Sequence, residues 1–299
     1  MLVVDPKSTP TGDLHQFLLG AVAPRPIAFA STIDEEGNPN LAPYSFFNCF
    51  SSNPPTLVFS SNRRVSDNTT KDTLHNIEAT GEVVVNVVSH AIVRQMAVTS
   101  ISFDTGVSEF SKSGLTPVAS DLVKPFRVKE SPVQMECKVK DIITLGDQGG
   151  AGHLIICEVV RMHVNEAVLD ENNRIDPNKI DLVGRMGRAF YARASGDAVF
   201  TVVQPVTTIS IGFEQLPDSI RESEVLTGNN LGILAGLSAL PDKDDIVAIM
   251  DDDRVKSRLA AYPQQHQDLV NNLHTIAKAA LDEGDLGFGS LVAFLPEYL

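Results

Sequence analysis

The first concentration of residues able to do chemistry is Tyr44-Ser45-Phe46-Phe47-Asn48, the aromatic segment, where rings stand beside hydroxyl and amide groups. It ends an extended stretch that begins at Asn40. A turn signal over residues 34–38 separates that stretch from a β-prone run over residues 27–33. Flat rings beside small donors and acceptors suit the face and edge of a planar heterocycle. The alternative is a core hairpin whose rings simply pack, which is the commoner use of such clusters.

A second concentration, the basic loop, covers residues 60–73 after the next predicted strand. The strand ends in Ser60-Ser61, the pair Arg63-Arg64 comes next, and a helix is predicted to begin near Lys71-Asp72-Thr73. The first turn of a helix leaves backbone N–H groups unpaired and carries the positive end of the helix dipole, and both attract phosphate. The alternative is ordinary N-capping by a polar side chain of residues 67–72, with the arginines solvated.

Hydrophobic patterning predicts the elements that position these residues. We expect three strands within residues 24–61, a helix over residues 70–80 that ends at Gly81, and a valine-rich strand over residues 82–89. A helix near residues 90–98 and a long loop over residues 99–124 follow. That loop is either a cover for the site or plain surface.

Two long strands are predicted over residues 134–145 and 153–168, joined by a glycine turn at residues 146–152. The turn lacks the G-x-G-x-x-G spacing and precedes a strand rather than a helix, so it does not indicate a dinucleotide-binding loop. A nicotinamide cofactor would therefore bind without that motif.

Taken in order, these segments resemble the flavin reductase-like family of FMN-binding split barrels, in its flavoprotein oxygenase branch. The resemblance covers about two thirds of the chain, to about residue 205. It rests on the motifs PRPIA at 24–28, NLAPYSFFN at 40–48, NPP at 53–55, FSS at 59–61, KDTLHNI at 71–77, SEF at 108–110 and IDPNKIDLVGRMGRAFYAR at 175–193.

The resemblance implies a mainly β fold with some α-helix: a six-stranded Greek-key split β-barrel with helices at its rim. It also implies a homodimer with FMN, or alternatively FAD, near the subunit interface. Carried over by position, the isoalloxazine contacts would be Tyr44, Ser45, Phe46, Phe47 and Asn48. The ribityl and phosphate contacts would be Ser60, Ser61, Arg63, Lys71, Asp72 and Thr73, with Arg25 and Thr32 near the same pocket.

The function implied is an enzyme, an NAD(P)H:flavin reductase that supplies reduced flavin to a partner monooxygenase. Two alternatives stay open: a flavoprotein oxidoreductase or oxygenase that acts on its own small substrate, and a non-catalytic flavin-binding protein. No catalytic acid, base or nucleophile is predicted, because the flavin itself accepts hydride and the protein binds and orients it.

Two domains are expected, a flavin-binding barrel over residues 1–205 and an acidic helical extension over residues 206–299 with no assigned role. From residue 206 onward the chain has fifteen acidic and six basic residues, within a formal net charge of −14 for the whole chain. Such acidity argues against nucleic acid and anionic membrane as partners.

The remaining composition predicts a cytoplasmic protein. The sequence has no 18-residue apolar run and no basic start followed by an apolar core, so neither a membrane span nor a signal peptide is expected. The three cysteines fit reduced, buried thiols. Cys137, Cys157, His153 and His163 lie on neighbouring predicted strands, but lone thiols in strands are usually core and no metal site is predicted.

Overall fold

A computed structural model describes residues 1–101, 103, 107–202, 209–261 and 266–299. The chain forms two compact units, Met1–Phe200 (unit 1) and Thr201–Leu299 (unit 2).

Unit 1 is built on a seven-stranded antiparallel sheet with the strand order β2-β1-β5-β8-β9-β4-β3. Two short pairs, β6-β7 and β10-β11, lie outside it. The strands are β1 (Ala28–Ile33), β2 (Pro39–Tyr44), β3 (Phe47–Ser52), β4 (Pro55–Ser60), β5 (Glu82–Asn86), β6 (Pro117–Val118), β7 (Arg127–Val128), β8 (Val133–Thr144), β9 (His153–Val164), β10 (Leu182–Gly187) and β11 (Phe190–Ala194).

The sheet must curl back on itself, because its two edge strands follow each other in the chain. Only Ser45-Phe46 separate the end of β2 from the start of β3, and so short a link reaches at most about 11 Å. Seven strands laid flat would place these edges about 29 Å apart. The result is a barrel that is open between β2 and β3.

The strand count corrects the sequence prediction. Residues 24–61 hold four strands, not three, and the main sheet has seven strands rather than six. The sequence predicts a single strand for the extended stretch from Asn40. It breaks at Ser45-Phe46, where the chain stops pairing with β1 and begins to pair with β4.

Alternation along β1 buries both of its faces. Ala28 and Ala30 face the barrel interior, and Phe29 faces the opposite side. The interior also receives Leu74 and Ile77. The helices of unit 1 are α1 (Thr11–Ala21), α2 (Asp72–Thr80), α3 (Val93–Val98), α4 (Glu109–Ser113) and α5 (Pro177–Ile180).

The predicted helix over residues 70–80 is confirmed as α2, and Gly81 ends it in the left-handed conformation with φ 66°. The two long strands are confirmed as β8 and β9. The predicted loop over residues 99–124 contains α4 and β6, while residues 102 and 104–106 of it lie outside the described residues.

Unit 2 is helical where it is described. Its helices are α6 (Asp218–Arg221), α7 (Gly228–Ala235), α8 (Lys243–Ala248), α9 (Asp253–Ala261), α10 (His266–Glu283) and α11 (Leu286–Phe294). They enclose an apolar core of their own that includes Ile220, Leu234 and Leu273. None of the described helices in either unit is long and apolar enough to cross a membrane.

A histidine side chain is buried in the core of unit 2. The ring of His274 is fully buried, with Nδ1 2.8 Å from the Ser223 hydroxyl and Nε2 3.3 Å from the Ala293 carbonyl. Burial lowers the pKa of His274, against a smaller opposing effect of the Ala293 carbonyl and of Glu297.

We expect unit 2 to lose stability as the pH falls below the ordinary histidine pKa of about 6.5. The unfolded chain then takes up a proton that the folded chain resists, so unfolding becomes more favourable. Hydrogen exchange of α10 measured at neutral and mildly acidic pH checks this. His274→Gln should flatten the pH dependence, and His90→Gln, at an exposed histidine, should leave it intact. An unchanged slope in His274→Gln would contradict the assignment.

Candidate functional site

The aromatic segment lies where the chain passes from one edge of the barrel to the other. The N–H of Ser60, at the end of β4, donates to the carbonyl of Phe46 at 2.8 Å. Ser45, Phe46 and Phe47 are half-buried and Asn48 is exposed. The segment is therefore fixed by the sheet while its polar groups and parts of its rings remain at the surface.

Tyr44 forms the floor beneath this surface. Its ring is buried, and the ring centroids of Tyr44 and Phe59 are 5.3 Å apart. Lys71 Nζ lies 4.9 Å from the Tyr44 ring centroid. Burial raises the pKa of Tyr44 to about 12, so its hydroxyl stays protonated. The hydroxyls of Thr73 and Ser61 are near it, but no described group makes a hydrogen bond of good geometry with Tyr44 or with Ser61 Oγ.

The start of α2 carries no side-chain cap, and Lys71 occupies the N-cap position in an extended conformation. Asp67, a capping candidate, instead accepts from the N–H and hydroxyl of Thr69 at 3.0 and 2.7 Å. Asp72 is exposed in the first turn. The first N–H groups of α2 thus keep the partial positive charge of an open helix end.

Lys71 and Arg63 lie at this helix end and have no carboxylate partner among the described residues. Neither Lys71 nor Arg63 takes part in an ion pair within the described part of the chain. Burial, with repulsion from Arg64, lowers the pKa of Lys71. Arg63 donates to the Asn68 carbonyl at 3.0 Å, while its buried Nε has no described partner. Partly buried cations of this kind are stabilised when an anion joins them.

A buried amide and hydroxyl network supports Thr73. Asn40 Nδ2 donates to Thr73 Oγ1 at 2.8 Å and to Thr32 Oγ1 at 3.0 Å, and Asn76 Nδ2 donates to Thr32 at 3.1 Å. Because Thr73 accepts from Asn40, its own O–H proton remains available to donate. Thr32 is fully buried, and its hydroxyl oxygen orients the two amides by accepting from both.

Arg25 connects the aromatic segment to α1. Its Nη1 donates to the Leu19 carbonyl at 2.7 Å, and its Nε donates to Ser45 Oγ at 3.4 Å. Its guanidinium carbon lies 6.0 Å from the centroid of the Phe46 ring. Arg25 thus lies beside the ring-binding end of the predicted site, away from the basic loop.

The glycine turn packs directly against the basic loop. The N–H of Arg63 donates to the Ala151 carbonyl at 2.9 Å, and the N–H of Gly150 donates back to the Arg63 carbonyl at 3.1 Å. A Cβ at Gly152 would lie 2.6 Å from Ser60 Oγ, and one at Gly149 would lie 3.1 Å from the Arg64 carbonyl. At Gly149 two backbones approach closely, and at Gly152 the Ser60 hydroxyl occupies the space that a Cβ would need.

Among the described residues, the side chains of Asp121, Glu136 and His163 lie close enough together to hold a metal ion. Glu136 accepts from the N–H groups of Asp121 and Leu122 at 2.9 and 2.6 Å and lies 2.6 Å from His163 Nε2. Arg161 pairs with Asp121 at 2.7 Å. The carboxylates already have partners, so this cluster fastens a loop to the sheet. Cys137 and Cys157 lie in the barrel core.

Two described cavities do not coincide with the predicted site. The larger, about 770 Å³, lies between α1 and the β10-β11 hairpin and is lined by Phe17, Arg188 and Phe190 among others. A second of about 360 Å³ lies on the other side of Phe190. Most of the predicted site residues instead lie at the ends of β2 and β4, in β3 and at the start of α2, and none of them lines either cavity.

Comparison with known proteins identifies the family. The flavin reductase like domain matches residues 20–180. The chain belongs to this family. An uncharacterized protein of Aquifex aeolicus is 40% identical over 196 residues, which are 66% of this chain and 97% of that protein. Unit 2 lies beyond residues 20–180, which the family model matches.

Two solved structures show the same split-barrel fold. Nitrilotriacetate monooxygenase component B from Bacillus cereus is 32% identical, with a TM-score of 0.63 over 68% of this chain and 98% of that chain. The 2-nitrobenzoate 2-nitroreductase NbaA of Pseudomonas fluorescens is 28% identical, with a TM-score of 0.61 over 71% of this chain and 100% of that chain.

The residues of this region fit a flavin mononucleotide. Uncompensated cations and an open helix end suit a phosphate. The hydroxyls of Tyr44 and Ser61 and the Nε of Arg63 are buried donors without partners, as expected where a ligand supplies acceptors. Half-buried Phe46 and Phe47 suit the face of a flat ring.

Sequence reasoning missed several supporting residues. Asn40, Asn76 and the glycine turn have no direct ligand chemistry, and only the fold brings them to the basic loop. The run of glycines at residues 146–152 was a usable signal, because a glycine beside a strand can mark the close approach of another backbone.

Gly152→Ala should destabilise the protein by about 1–3 kcal/mol, because its Cβ would overpack Ser60 Oγ. Denaturant titration measures this change. Gly146→Ala is the matched control, since its Cβ would meet Ala151 at an ordinary 3.4 Å. Removing the hydroxyl in the double variant with Ser60→Ala should recover part of the loss. Equal stability of the two glycine variants would contradict the contact.

Proposed function

We propose that this protein binds FMN and, as an NAD(P)H:flavin reductase, supplies reduced flavin to a partner oxygenase. The observation that carries the proposal is the set of partly buried cations at the uncapped start of α2. This set lies beside a half-buried aromatic segment, in a chain of the flavin reductase-like family.

The chain's own residues would bind and orient the cofactor. Lys71, Arg63, Thr73 and the first N–H groups of α2 would hold the phosphate. Ser60 and Ser61 would lie along the ribityl chain, and residues 44–48 would meet the ring. Bound flavin would supply the hydride acceptor, so the protein needs no acid, base or nucleophile of its own. FAD remains an alternative ligand, because the same contacts could hold its inner phosphate.

The likeness to nitrilotriacetate monooxygenase component B supports a reductase that works with a separate oxygenase. A second candidate is a flavin oxidoreductase that acts on its own small substrate, and the likeness to a nitroreductase supports it. NADH or NADPH oxidation distinguishes the two. Stimulation by free FMN indicates a reductase, and stimulation by a nitroaromatic compound without free flavin indicates the second function.

We further propose a cytoplasmic homodimer with FMN near the subunit interface. The predicted site residues line neither described cavity, as expected for a site that a second copy completes. Unit 1 also exposes large apolar side chains, including Phe50 at 68% and Met162 at 52% of their surface. We assign flavin binding to residues 1–205, and the acidic region 206–299 has no assigned role.

Lys71→Ala combined with Thr73→Ala should weaken FMN binding. Each lost phosphate contact should cost about 1.5–3 kcal/mol, or about 10- to 150-fold in Kd. Fluorescence titration with FMN measures this loss. Lys129→Ala serves as the control, because Lys129 is exposed and belongs to none of the segments assigned to the site. Unchanged FMN affinity in the double variant would show that the phosphate binds elsewhere.

A further inference from the structure

A second group of uncompensated cations lies at the other end of the predicted site, in Arg25 and Arg185. The two residues face each other in an antiparallel bridge, with N–H to carbonyl distances of 3.0 and 2.8 Å. Directly opposed residues place their side chains on the same side of the backbone. The two guanidinium groups are close enough that Arg185 contributes, after burial, to a lowered pKa of Arg25.

The close pairing is built into the backbone. A Cβ on Gly184 would lie 2.8 Å from the Cβ of Pro24, so glycine lets the hairpin approach Pro24 and Arg25. The guanidinium of Arg185 stacks on Tyr191, with its carbon 4.7 Å from the ring centroid. Two like charges are therefore held together by packing.

The described residues supply no carboxylate to balance this pair, since neither arginine takes part in an ion pair. Arg25 is only 4% exposed, and its buried Nη2 has no hydrogen-bond partner in the part of the chain that the structure describes. Arg25 Nη1 donates to the Leu19 and Val22 carbonyls at the end of α1, but a buried guanidinium with an unused donor beside a second cation gains stability when an anion joins it. The arrangement therefore indicates an anion-binding site.

The position of the pair identifies the anion. Arg25 hydrogen-bonds Ser45 Oγ and lies 6.0 Å from the centroid of the Phe46 ring, within the segment assigned to the isoalloxazine. The phosphate is already assigned to Lys71 and the start of α2. Hydride transfer from a nicotinamide adds two electrons and one proton to the neutral oxidised ring. Without uptake of a further proton, the ring becomes an anion and the nicotinamide leaves as a cation.

We propose that Arg25 and Arg185 form a site for the negatively charged pyrimidine edge of the reduced isoalloxazine. The pair stabilises reduced flavin over oxidised flavin and so raises the reduction potential of the bound cofactor. Because oxidised flavin carries no charge on this edge, the arginine pair favours binding of the reduced flavin alone. This inference rests on the proposed FMN site.

The test measures the potential of bound FMN by equilibration with a reference dye, without any nicotinamide. Arg185→Gln removes a charge while leaving the contacts of Arg25 to α1 in place. It should weaken binding of reduced FMN at least about tenfold relative to oxidised FMN, a fall of about 30 mV. Arg188→Gln, an exposed arginine in the same hairpin, is the matched control and should leave the potential unchanged.

Arg25→Lys and Arg25→Gln separate charge from structure. The lysine variant should keep the potential near that of the wild type, and the glutamine variant should lower it. If the Arg25 variants fail to fold, the comparison of the potentials of Arg185→Gln and Arg188→Gln is sufficient to test the proposal.

The outcomes distinguish the two proposals. A wild-type protein that binds no FMN overturns the proposed function together with this inference. FMN binding with the same potential in wild type and Arg185→Gln overturns the inference alone. If Arg185→Gln keeps the potential but raises the KM for NADH, the anion is the dinucleotide phosphate, and the inference is again overturned.

Discussion

The proposed function depends on partly buried positive side chains that have no carboxylate partner among the described residues. Lys71 and Arg63 lie at the uncapped start of α2, and Arg25 with Arg185 lies at the far side of the aromatic segment. Desolvated cations are costly on their own, so each group gains stability when an anion binds. The proposed FMN, whose ring would become negative on reduction, would satisfy both groups.

Closure of the barrel brings these groups to one region. The two-residue link between β2 and β3 forces the sheet edges together, and β4 then delivers the basic loop beside that link. The glycine turn between β8 and β9 holds the loop through backbone hydrogen bonds to Arg63. The Arg25–Arg185 bridge fastens the β10-β11 hairpin to the other side. Local motifs that are distant in the chain thereby become one surface.

Much of this could be predicted from the sequence, because short-range signals are strong there. Gly81 marks the end of α2, and the glycine turn marks the β8-β9 hairpin. The break at Ser45-Phe46 could not be predicted, because both halves of the stretch have the same β-prone composition and only pairing with β1 or β4 separates them. The Arg25–Arg185 bridge is equally hidden, since about 160 residues separate two ordinary arginines and tertiary packing alone joins them.

The most direct test of the central claim compares FMN with riboflavin, which lacks the phosphate, by calorimetric titration of the wild-type protein. Because Lys71, Arg63 and the start of α2 would bind the phosphate, FMN should bind at least about tenfold tighter than riboflavin. The difference should shrink as salt screens the exposed part of the charge. Equal affinity for the two ligands at low salt, or binding of neither, would contradict the account.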